Sequence, residues 1–151
     1  MAGFRFRLEP LLRYRRYHRD LCRQRLAEAM REDEDLLNQR RELENEREHL
    51  IDELRRMQSE GEVDVDRAAA RRYYVGQLLA RIVGGEQRRQ VVRRKIDQCR
   101  HALVQADQAV KVLEKLAEKQ RAEFVYQSER REGLAMEDAW SAATRLRESG
   151  S

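Results

Sequence analysis

The sequence predicts an all-α fold, an elongated antiparallel two-helix coiled-coil hairpin whose second helix is the longer and overhangs at its C-terminal end. Three observations predict it. Apolar residues recur in alternating steps of three and four on both sides of one break, at residues 59–66. Only one proline, Pro10, is present, in a composition that suits long helices. Finally, net charge changes sign from segment to segment so that a chain folded back on itself joins unlike charges.

Of the 151 residues, 40% are charged and only 6% aromatic, a balance too poor in apolar residues for a compact core but suited to long, exposed helices. The same polarity would suit a disordered chain, but the sustained heptads argue against that. The expected organisation is one domain over 1–151, with helix 1 at about 8–58, a tip at 59–66, helix 2 at about 67–146, and disorder in 1–5 and 147–151.

Helix 1 rests on the seam 8, 12, 15, 19, 22, 26, 29, 33, 36, 40, 43, 47, 50, 54, 57, ten of whose fifteen positions are Leu, Cys, Ala or Met. Cys22, Leu36, Leu43 and Leu50 lie on one row, which is unbroken, and Leu26 and Leu54 lie on the other. Asp33, Arg40 and Arg47 interrupt that second row, which weakens the seam and fixes its register. At 1.5 Å per residue the helix would be about 75 Å long.

The tip reads Ser59-Glu60-Gly61-Glu62-Val63-Asp64-Val65-Asp66. Gly61 can adopt the backbone angles that end a helix, and Asp64 or Asp66 can accept hydrogen bonds from the free N–H groups that begin the next.

Helix 2 rests on a seam from Val75 to Asp138 that includes Leu78, Ile82, Val92, Ile96, Cys99, Leu103, Val110 and Leu113. Gly84-Gly85 falls inside it. Two adjacent helical glycines cost about 2 kcal/mol relative to alanines, so a bend, a weak point or a close backbone contact is expected there.

Charge decides between pairing within the chain and pairing between chains. Residues 1–25 carry net +6, 26–66 net −9, 67–100 net +8 and 101–151 net −1. Folding back at residue 62 places residue i opposite roughly 124 − i and sets the acidic arm against the basic one. A parallel dimer of helix 1 would set acid against acid, so a monomer is expected. Helix 1 then runs out near residue 116, leaving some 30 residues of helix 2 to project.

Among the motifs, Arg13, Arg15, Arg16 and Arg19 followed by heptads superficially suggest a basic-zipper DNA reader, which would need the disfavoured parallel dimer. An acidic protein partner or plain solvation are the competing uses. His18, His49 and His101 share no metal-ligand spacing with each other or with Cys22 and Cys99, and two cysteines make no disulfide framework. A phosphate loop, a nucleophilic triad and a closable pocket are all missing, so no cofactor and no enzymatic activity are expected. No apolar run of signal-peptide or membrane-spanning length occurs, so a cytosolic chain without membrane insertion is expected. Beside the tip, Tyr73, Tyr74 and Leu79 exceed what one seam can absorb and form a candidate binding patch.

Three stretches carry a family resemblance. The opening Phe4-Arg5-Phe6-Arg7-Leu8-Glu9-Pro10-Leu11-Leu12 is similar to the start of the flagellar export protein FliJ family, and Val112–Lys119 with Glu132–Ala139 resemble its Glu-Lys-rich helix and closing box. The resemblance implies a stalk of the flagellar type III export apparatus, held peripherally at the cytosolic face of the membrane, that engages the hexameric export ATPase, the cytosolic part of the export gate and export chaperones. It implies a gate contact at Tyr73, Tyr74, Leu78 and Ile82, from which Arg81 and Gly84-Gly85 depart. The ATPase contact expected with it is the open basic end, Arg13, Arg15, Arg16 and Arg19, together with Phe124 and Met136 on the projecting helix. The equivalent stalk of a virulence injectisome would share every one of these features.

Overall fold

The computed structural model describes residues 3–61 and 64–150, and the expectations that fall on Met1, Ala2, Glu62, Val63 and Ser151 lie outside them. Two helices account for the fold, α1 (Glu9–Ser59) and α2 (Val65–Ser149), and they pack against each other without any strand among the described residues. Pro10 sits in the first turn of α1, where its missing N–H has no intrahelical partner to lose.

The chain reverses between the helices as the tip residues predict. Gly61 takes φ +74°, the left-handed conformation that ends a helix and that only glycine adopts freely. Asp64 caps α2, its Oδ1 accepting from the N–H groups of Asp66 (3.1 Å) and Arg67 (3.4 Å).

Two units make up the chain, residues 20–104 and residues 1–19 with 105–151. In the first, Ala29, Val92 and Ile96 form a buried cluster with Leu26 and Leu36 packed on it, and Leu78 is fully buried. Every seam position from Cys22 to Met57 and from Val75 to Leu103 is buried or half-buried, so the heptad rhythm names the packed face. Two of the three polar interruptions are absorbed by ion pairs between the helices, Asp33 with Arg89 at 2.9 Å and Arg40 with Glu86 at 2.8 Å, whereas the third, Arg47, keeps a buried Nε without a hydrogen-bond partner among the described residues. Lys95 reaches Glu32 and Arg71 reaches Glu53 at the seam's flank. These pairs have residue numbers summing to between 122 and 127, close to the 124 that folding at the tip requires.

α2 runs through Gly84-Gly85 without interruption, and a Cβ placed on either glycine would meet nothing within 4 Å. The close backbone contact considered at this pair is therefore absent. Space is what the glycines leave.

In the second unit Leu12, Val110 and Leu113 form the core, with Phe6 and Leu8 packed on it, and Arg16 donates to Glu114 across the helices at 3.2 Å. Phe4 meets Phe124 with ring centroids 5.7 Å apart. Past Ser128 no residue of α2 is buried, and the seam positions there, Arg131, Leu134 and Asp138, are exposed. The helix continues to Ser149, three residues beyond the expected end.

Candidate interaction surfaces

Unit 20–104 carries an exposed aromatic and aliphatic patch on the first turns of α2. Tyr73 is 71% exposed, and Tyr74, Leu79 and Val83 are also open to solvent. Its composition differs from the expected stripe of Tyr73, Tyr74, Leu78 and Ile82. Leu78 occupies a seam position and is wholly covered by the hairpin, and Ile82, one turn on, is half-buried. A partner lying on the surface could not touch Leu78, so that residue supports the patch from beneath. Val83 replaces it outside, a residue that the heptad count passes over because it lies off the seam.

Tyr74 is oriented from the other helix. Its hydroxyl donates to Glu46 Oε1 at 2.7 Å, and this hydrogen bond, reinforced by the carboxylate's charge, holds the phenol above the usual tyrosine range. The ring is thereby held in one place while its face remains available.

The other unit carries a mixed surface. Arg13 lies near Glu9 at 3.9 Å, Arg16 is committed to Glu114, and Arg15 points to solvent. Arg19 is half-buried and has an interaction of its own. An open cleft of about 940 Å³ runs beside them, lined by Phe4, Phe6, Arg13, Arg16, Glu114 and Arg121. Phe124 is partly covered by Phe4, whereas Met136 is exposed. Beyond them Leu134, Trp140 and Leu146 are exposed on the unpaired end of α2. Trp140, 72% exposed, was not among the expected contacts, yet an off-seam tryptophan in so polar a helix was a signal in the sequence itself.

Among the described residues no three His, Cys, Asp or Glu side chains could hold a metal ion, and Cys22 and Cys99 are free thiols. No helix of the described residues is long and apolar enough to cross a membrane.

Residues 4–148 match the protein family described as Flagellar FliJ protein. The chain belongs to the FliJ family. It is accordingly a protein related to flagellar export, in a family that acts there as a non-catalytic component. No curated protein and no solved structure matches the sequence significantly. The folding of α2 onto α1 occupies the seam that a basic-zipper dimer would need, and the match is to a flagellar family, as the opening and closing motifs suggested.

Proposed function

We propose that this FliJ-family chain is a stalk of the flagellar export apparatus, engaging the hexameric export ATPase through one surface and the cytosolic part of the export gate through the other. The observation that carries this reading is the distribution of exposed apolar side chains. One group lies on the tip-side turns of α2, at Tyr73, Tyr74, Leu79 and Val83, and another on its unpaired end, at Leu134, Met136, Trp140 and Leu146, while others such as Tyr14, Tyr17, Val91 and Tyr126 are spread along both helices. Seven of the nine aromatic residues are exposed, and exposed apolar clusters mark protein contacts.

The tip-side patch is assigned to the gate, with Tyr73, Tyr74 and Leu79 in contact, Val83 at the edge, and Leu78 and Ile82 as support. The basic end, with Arg13, Arg15, Arg16, Arg19, Phe124 and Met136, is assigned to the ATPase. The chaperones of exported subunits would bind one of the two surfaces when it is free. In this reading the chain works from the cytosol, peripheral to the membrane.

Paired capture experiments test the assignment. Tyr73→Ala with Leu79→Ala should weaken capture of the gate's cytosolic domain about tenfold or more and leave ATPase capture intact, each being a large exposed side chain of a contact patch. Arg15→Glu with Trp140→Ala should do the reverse. If either double variant lost both partners, or neither, the division of labour would be wrong.

A further inference from the structure

One flank of the hairpin in unit 20–104 is a ladder of acidic and basic residues seven apart. α1 presents Glu32, Gln39, Glu46 and Glu53, and α2 presents Arg67, Tyr74, Arg81, Arg88 and Lys95. The three carboxylates contact donors on α2: Glu32 with Lys95 at 3.7 Å, Glu46 with the Tyr74 hydroxyl at 2.7 Å, and Glu53 with Arg71 at 3.5 Å. Position 39 breaks the pattern with an amide.

The break coincides with two unpaired cations and a void. Neither Arg81 nor Arg88 has an ion pair or hydrogen bond among the described residues. Between them in sequence lies Gly85, whose missing side chain leaves open space on the seam. A niche of about 270 Å³ results, floored by Leu36, Leu43, Ile82 and Gly85 and rimmed by Gln39, Arg40, Arg81 and Arg88. Arg40 is already engaged by Glu44 and Glu86.

We propose that this niche receives a carboxylate side chain from an acidic segment of a partner protein, supplying from outside the acid that position 39 lacks. An apolar floor beneath guanidinium groups suits a glutamate, whose methylenes pack while its head is forked between two arginines. The volume falls below the roughly 300–1,000 Å³ of small-molecule pockets, as a single inserted side chain requires. The niche is defined by residues of this chain's own hairpin. It does not depend on the export reading.

An NMR titration of the full chain, with arginine Nε–Hε resonances resolved, tests the niche with hexaglutamate peptide as probe. Arg81 and Arg88 should shift saturably. Arg93 and Arg94, exposed on the same helix and also without a partner among the described residues, should shift several-fold less. Gln39→Glu should lower affinity about tenfold, a change of about 1.4 kcal/mol, by placing an internal carboxylate in the niche. Gln127→Glu, with the same change in net charge, should alter it less than about twofold, as a distant surface charge does. Gly85→Leu should also weaken binding, since it fills the floor without altering charge. Equal shifts at all four arginines, equal loss in both glutamine variants, or no binding of the peptide would overturn the proposal. Sodium phosphate reproducing the Arg81 and Arg88 shifts where the peptide does not would assign the niche to a free oxyanion and overturn the acidic segment. Capture of the ATPase and gate is read separately, so either conclusion can fail alone.

Discussion

Asp33 and Arg89 meet inside the seam: the Arg89 Nε–H donates to Asp33 Oδ1 at 2.9 Å, with the side chains only 13% and 21% exposed for Arg89 and Asp33 respectively. Sliding α2 by one heptad in either direction would bring Ile82 or Ile96 opposite Asp33 and leave its charge without a partner. The pair therefore selects one register among several that the apolar rows alone would tolerate.

Asp33→Ala should destabilise the hairpin by about 2 kcal/mol, because Arg89 keeps its desolvation without its acceptor. Asp33→Leu combined with Arg89→Leu should restore stability or exceed it while admitting shifted registers. Chemical denaturation gives the first result, and spin-label distances between α1 and α2 give the second.

Gly84→Ala and Gly85→Ala should each stabilise by about 1 kcal/mol, the helix-propensity difference, since the added methyl groups meet no atoms. Thermal melting of the single and double variants checks this, and a loss at either position would reveal a hidden contact.

Tyr74 ionises late because Glu46 accepts its proton's hydrogen bond, so folding raises its pKa. The stability linked to this shift is fully present below the ordinary tyrosine range and is lost as pH climbs through the raised folded value. Glu46→Gln should bring the Tyr74 phenol back toward the ordinary range, measured from the ring carbon resonances across an alkaline titration.

Phe4→Ala should cost about 1 kcal/mol of pairing with Phe124 in addition to lost apolar burial. The effect should vanish when Phe124 is already alanine. A double-mutant cycle in denaturant measures that coupling.

Much of this was legible in the residues. The alternating steps of three and four name Cys22, Leu36, Val92, Ile96, Val110 and Leu113 as facing inward, and the charge balance sends the basic arm back along the acidic one. Gly61 and Asp64 announce the reversal through their own backbone chemistry. The surfaces were harder to read. Periodicity says that Leu78 belongs to the seam, and a seam residue cannot also be a surface contact, a conflict visible only when burial is measured. Nor does a heptad show that Gln39, Gly85, Arg81 and Arg88 surround one void, since that depends on the axial offset of two helices joined through a distant turn. Phe4 meeting Phe124 depends on the same offset.

The bare end of α2, residues 131–149, has a consequence for how the chain is cut. Among the described residues none of these nineteen is buried, so their helix lacks the tertiary packing from which most helical stability in proteins comes. Each brief opening presents Arg131, Arg145 or Arg147 to a protease, whereas Arg89 on the seam opens only when the hairpin does. Trypsin should therefore trim the chain near Arg131 first and leave a resistant fragment ending there. A partner that covers Trp140 and Leu146 should postpone that cut, making the digestion pattern a direct report of whether the end is engaged.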